Sequence, residues 1–183
     1  METAQSMTIE QAFYLLKHFT EIDFIARNQF LEFGYSEEEI NAQLQVIGSK
    51  FTASFCQHPF ELEGLLSQIE PREQIVQSNG RTAYVYQFEK KIGTDHIIEK
   101  EQIAPIEIIQ LDRNGSTIEA VEQKELPKTN HLVVVKSNQG AWITAFPGKY
   151  APAFPSSWMT KEEFTFATHF WHNHVFIVQH TTN

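Results

Sequence analysis

Three histidines at positions 169, 172 and 174 form an H-x-x-H-x-H cluster, and with His180 they make up four of the eight histidines in the chain. Imidazole either ligates a metal or moves protons near neutrality, so two chemistries are open. His169 and His172 share a face only on a helix, whereas His172 and His174 share one only on an extended chain. A metal site would therefore need further ligands from elsewhere, with Asp95, His96 or His131 as candidates. Polar or packed histidines are the ordinary alternative.

A second constellation combines Lys91, His96, Thr144, Lys149 and His174, all at expected strand ends or beside turns. Such ends are where a cleft collects side chains from distant sequence. Cleaving RNA without metal requires a base for the 2′-hydroxyl proton, an acid for the leaving oxygen, and cations or donors for the phosphorane-like charge. Two histidines, a lysine and a threonine satisfy that list, and the reading calls for no cofactor. Each residue also has a plain structural role: solvated lysines, a strand threonine, a turn-capping histidine.

Charge placement points the same way. From Leu126 to Lys161 the chain carries Lys128, Lys136, Lys149 and Lys161 and no Asp or Glu, although the protein as a whole has a formal net charge of -9. A local reversal of sign is what a phosphate or other anion needs. Lys136, Lys149, Tyr150 and Trp171 are accordingly the expected substrate-binding residues. Trp142, Tyr150, Trp158 and Trp171 can stack unpaired bases, or they can pack a proline-rich loop against a sheet.

The run Leu132-Val-Val-Val-Lys136, a turn, and Trp142-Ile-Thr-Ala-Phe-Pro-Gly148 lies between Lys91-Ile-Gly-Thr-Asp-His96 and Trp171-His-Asn-His174. Over about residues 80–180 this pattern resembles the C-terminal domains of bacterial ribonuclease toxins of the barnase, EndoU, colicin and RelE-like group. The resemblance implies a helix packed on a curved antiparallel sheet with RNA, a tRNA among the candidates, cut on the sheet face. It also implies that His96, Thr144 and His174, with Lys91, form the catalytic set. The chain departs from that group in being acidic and in having a late helix rich in aromatic residues and histidine.

The elements that must position these residues are legible in period and caps. Thr8 with Gln11, Ser36 with Glu39 and Thr160 with Glu163 are capping boxes that open helices. The first predicts one long helix or two abutting ones up to Gly34. The second predicts an amphipathic helix carrying Ile40, Leu44, Ile47, Phe51 and Phe55 on one face. Pro59 opens a shorter helix that ends before Pro71. Beyond Pro71 the period becomes alternating, with Tyr84, Tyr86 and Phe88 on one strand face. A turn at Gly93-Thr94-Asp95 leads into His96-Ile97-Ile98. Hairpins are expected around Asn114-Gly115 and Asn138-Gln139-Gly140, and Pro147 to Ser157 is a proline-stiffened loop. A helix through Phe170 and Trp171 and a final strand over 175–178 complete the chain. The expected fold is α+β: an N-terminal helical lobe (1–70) and a domain (71–183) with an antiparallel sheet and a packed helix.

Residues 1–70 hold three basic and eleven acidic residues, a net of -8, and residues 71–183 a net of -1. Electrostatics thus predicts that the lobe folds over the cationic face and restrains it, or offers an acidic docking surface to a basic protein partner. The single cysteine, Cys56, excludes an intrachain disulfide and reads as a packed residue. No basic n-region precedes Lys17 and no apolar run approaches bilayer length. The expectation is a cytoplasmic protein, or one exported by specialised machinery, with no membrane partner. Three functions stand: a metal-independent endoribonuclease-like domain, a non-enzymatic interaction, immunity or effector module, and a histidine-metal hydrolase.

Overall fold

The computed structural model describes residues 6–113 and 116–179. All three capping boxes form. Thr8 caps α1 (Ile9–Leu15), Ser36 caps α3 (Glu37–Leu44) and Thr160 caps α5 (Lys161–Asn173), each hydroxyl accepting the N–H three residues on. Between the first two lies α2 (Phe24–Phe33), capped by Asp23, whose Oδ1 accepts the Ala26 N–H at 2.7 Å, and stopped by Gly34 at φ 126°. Two helices therefore form up to Gly34, separated by a break at 19–23. The break arises because Phe51 N–H donates to His18 O at 2.6 Å and pairs residues 19 and 51 as a bridge.

The expected helix through Phe55 ends instead at Leu44. Gly48 sits at φ 154°, and residues beyond it are drawn into extended pairing: Thr94 N–H donates to Lys50 O at 2.9 Å and Lys50 N–H to Thr94 Oγ1 at 3.0 Å. Phe51 of the expected apolar face is still fully buried, as an extended residue, whereas Ile47 is exposed. A short α4 (Glu61–Leu66) follows.

Among the described residues ten strands then form two four-stranded sheets and a small ribbon, an α+β architecture dominated by antiparallel pairing. The first sheet orders β1 (Glu73–Val76), β2 (Thr82–Gln87), β8 (His131–Lys136) and β9 (Trp142–Pro147), all antiparallel. The second orders β4 (Ile97–Glu99), β10 (His174–Gln179), β6 (Ser116–Gln123) and β5 (Ile108–Arg113); its β10–β6 pair is parallel. The ribbon joins β3 (Gly93–Thr94) to β7 (Lys128–Thr129). The strands β5 and β6 pair up to Arg113 and Ser116, and the Asn114-Gly115 turn lies outside the described residues.

Alternation along β8 divides the first sheet. Leu132 and Val134 join Phe13, Phe19, Phe30 and Phe51 in one core, so the helices of 1–70 and the sheet of 71–183 share their packing. Val133 and Val135 face the other way, with Ala83, Val85, Ile75, Phe146 and Tyr150. A bulge where Val135 pairs Thr144 and Lys136 pairs Trp142 adds a residue to β9. It lets Trp142 and Ala145 both point into the helical layer.

Gly93 is where the layers close. A Cβ there would collide with the Lys50 carbonyl and come within 2.8 Å of Pro147 Cβ. Gly93→Ala should therefore destabilise the protein by about 2–4 kcal/mol in chemical denaturation. Gly64→Ala, in open space on α4, should be neutral or stabilising by up to about 1 kcal/mol. Equal effects of the two would show that the close approach at Gly93 does not exist in solution.

Candidate functional site

Three chain segments converge on the sheet face turned away from the helical layer. Arg72 enters β1 with its N–H donated to Val85 O at 2.7 Å; His131 opens β8; Lys149 and Tyr150 follow β9. With Glu73, Gln87 and the α5 aromatics Phe166 and Phe170 they line a cleft of about 440 Å³. His131 and Gln87 are register partners, which puts both on the Val85–Val133 face by alternation. Gly148 N–H donates to His131 O at 2.8 Å and anchors the turn that carries Lys149.

The His131 imidazole is held below its ordinary value of 6.5, first by burial and then by the positive charges of Lys149, Arg72 and Lys91, with Glu73 opposing. It is therefore neutral at pH 7 and able to accept a proton. Burial raises the Tyr150 phenol above 10.0, although the hydroxyl accepts from Gln77 Nε2 at 2.9 Å; it stays protonated and can donate. Lys149 Nζ lies 3.6 Å from Glu99 Oε1, too long for a strong bond and open to competition from an anion.

Asp95 positions Lys149. Its Oδ2 accepts the Lys149 N–H at 3.1 Å and its Oδ1 the Ile97 N–H at 3.1 Å, and Gly148, at φ 124°, passes so close that a Cβ would sit 2.7 Å from Oδ1. Burial raises this carboxyl from 3.8 to about 6 against those donors.

Of the eight residues singled out from sequence, Lys149 and Tyr150 line this cleft, and Lys91 acts on it through its charge on His131. His174 flanks it: its ring stacks on Phe170 at 4.0 Å and 7°, with Nδ1 2.8 Å from Phe170 O. His96 lies in a different cavity with Leu111, Ile118 and Phe176, stacked on Phe176 at 5.5 Å. Thr144 is half-buried in β9 opposite Val135. Lys136 is on the helical side, its Nζ 5.3 Å from the Trp142 ring and 5.6 Å from Tyr84. Trp171 packs: Nε1 donates to Pro152 O at 3.1 Å and the ring stacks on Phe176. His96, Thr144 and His174 thus do not line one cavity together: His96 sits against Phe176, Thr144 lies opposite Val135 in β9, and His174 is stacked on Phe170 at the end of α5.

The acid-free window also scatters in space. Lys128 lines a third cavity with Lys50 and Lys124, Lys136 faces the helices, and Lys149 faces the cleft. The helical layer covers the sheet face opposite the cleft, so the acidic lobe does not fold over this site. Arg72, which lines the cleft, and Lys91, whose charge acts on His131, lie outside the window altogether. His131 was visible only as a metal-ligand candidate, and Arg72 had no sequence signal beyond standing before a strand.

Among the described residues no group of three or more His, Cys, Asp or Glu side chains is placed to hold a metal ion. His180 of the histidine cluster falls outside those residues. Cys56 is buried, its thiol pushed up to about 11 by desolvation, and its S–H donates to His58 O at 3.1 Å. No described helix is long and apolar enough to cross a membrane. No family model matches the chain, and no similar protein was found among curated proteins or solved structures.

Behind the cleft, His18 and Asp95 are coupled to pH in opposite senses. Burial lowers His18 from 6.5 to about 4 even though its Nδ1 lies 3.1 Å from Ser49 O. Stability linked to His18 is present above pH 6.5 and is lost as pH falls through about 4. Stability linked to Asp95 is present below pH 3.8 and is lost as pH rises through about 6. Between pH 4 and 6 the two offset. Asp95→Asn should expose a stability that rises with pH in that window, and His18→Asn one that falls, by urea denaturation at stepped pH. Matching slopes in both variants would contradict this assignment.

Proposed function

We propose that this protein is a metal-independent endoribonuclease-like protein whose working site is the Arg72–His131–Lys149 cleft. The observation that carries the reading is the convergence of Arg72, Lys149 and the charge of Lys91 on a neutral imidazole in a cleft walled by aromatic rings. Clustered cations with an uncharged base are the combination that phosphodiester transfer needs when no metal takes part.

In this reading Arg72 and Lys149 hold the phosphate oxygens, and Lys149 exchanges Glu99 for the phosphate. His131 takes the proton from the ribose 2′-hydroxyl. The 2′-oxygen then bonds to phosphorus as the bond from phosphorus to the 5′-oxygen breaks, and the Tyr150 hydroxyl gives its proton to that leaving oxygen. The products are a 2′,3′-cyclic phosphate and a free 5′-hydroxyl. Solvent returns a proton to Tyr150 and removes one from His131. The two proton roles thus fall to His131 and Tyr150, where the sequence offered the histidines His96 and His174.

Incubation of the full chain with total RNA, including tRNA, in the presence of chelator tests this. Cleavage should fall about 100-fold or more in His131→Ala. It should weaken with a shallower salt dependence in Arg72→Ala and Lys149→Ala, and hold in His96→Ala and Thr144→Ala. The rate should rise with pH through a value below 6.5, following deprotonation of His131. Full activity in folded His131→Ala, or no cleavage of any RNA by the wild type, would end the proposal.

One observation favours a second reading, that of a partner-binding protein. Phe24 is 75% exposed, and Tyr14, Ile25 and Phe33 are also largely exposed, on helices bearing Glu10 and Glu32. Apolar rings among carboxylates suit a basic amphipathic segment. On that reading Phe24→Ser with Phe33→Ser abolishes binding to basic amphipathic peptides measured by polarisation, and His131→Ala leaves it unchanged.

A further inference from the structure

Beside the cleft is a second cavity of about 450 Å³ that shares Ile75, Tyr150 and Phe166 with it. Its walls leave apolar surface in water that the fold does not cover: Trp158 is 56% exposed, and Val76 and Phe166 are also exposed. Asn79 and Arg81 line the same cavity with side chains that can meet a polar ring edge. The Asn79 Oδ1 accepts the Arg81 N–H at 3.0 Å, which holds the turn between β1 and β2 in place. The opposite wall is fixed by the α5 capping box, where Glu163 accepts from Thr160.

The partition between the two cavities is itself aromatic. Tyr150 and Phe166 lie nearly parallel, 19° apart with centroids at 6.5 Å, and Gln77 Nε2 holds the Tyr150 hydroxyl at 2.9 Å. A cavity with planar apolar walls, lined also by the amides of Gln77 and Asn79, the Arg81 guanidinium and the carboxylates of Glu162 and Glu163, matches an uncharged ligand with a π-face and a polar edge of donors and acceptors. Its neighbour matches a phosphate. In one polymer these two chemistries are joined through a sugar.

We propose that the Trp158 cavity seats one unpaired nucleobase of the strand whose phosphate occupies the Arg72–Lys149 cleft, which makes the substrate single-stranded RNA. This rests on the reading of the cleft given above. A base still paired in a duplex presents only its edges and does not enter such a cavity, so pairing excludes the substrate.

Separate halves of the ligand test the two sites apart. The full chain is titrated by NMR with the four ribonucleosides, which lack phosphate, and with ribose 5-phosphate, which lacks a base. At least one nucleoside should bind, weakened 10-fold or more by Trp158→Ala and restored by Trp158→Phe, with Arg72→Ala changing it less than twofold. Ribose 5-phosphate should show the reverse pattern. Ribose 5-phosphate binding without any nucleoside binding would overturn the base cavity alone. Nucleoside binding without ribose 5-phosphate binding would instead strike the cleft on which the proposal stands and overturn the joint site. Equal competition by duplex and single strand of one sequence would also overturn it.

Discussion

A single buried carboxylate ties the layers of this protein together. Asp95 accepts backbone N–H groups from Lys149, after the first sheet, and from Ile97, at the start of β4 in the second. Two residues earlier Gly93 meets the extended Lys50 backbone that follows α3 and the side of Pro147. Helices, ribbon and both sheets therefore meet within three residues, and only glycine at 93 and 148 leaves room. Burial disfavours the charged carboxylate at this junction, and its donors offset part of that penalty.

The functional face follows from that junction. Because the helices occupy the side of the first sheet bearing Leu132 and Val134, polar chemistry is confined to the other side, where α5 supplies aromatic walls. Lys149 reaches the cleft because its own N–H is held by Asp95, and His131 does so because β8 begins there. The cations are drawn from three separated stretches of chain, so their field exists only in the folded molecule.

What could be read in advance was local. Capping boxes at Thr8, Ser36 and Thr160 involve groups three residues apart, and the β8–β9 hairpin turns on Gly140 at φ 84°, so neither depends on distant partners. The spacing from Ile40 to Phe55 misled because burial of Phe51 is satisfied equally well by an extended residue bonded to His18, a contact that no periodicity announces. Which face each lysine of the acid-free window takes depends on strand register and on one extra residue in β9. Lys136 and Lys149 consequently part company, while Arg72, unremarkable in sequence, and His131, legible only as a metal-ligand candidate, line one cleft. The α+β class was legible; the grouping of site residues was not.

The placement of β10 has a bearing on how the molecule is made. It lies between β4 and β6, although fifty residues, 124–173, separate its first residue from the end of β6. While a ribosome is extending the chain, the earlier strands of that sheet have no central member to pair with, and their unpaired edges wait for it. The first sheet, with its helical cover, contains every one of its strands by Pro147 and can be finished sooner. Synthesis thus imposes an order on assembly, in which the wall carrying α5 is the last to arrive and the aromatic cleft does not exist until it does.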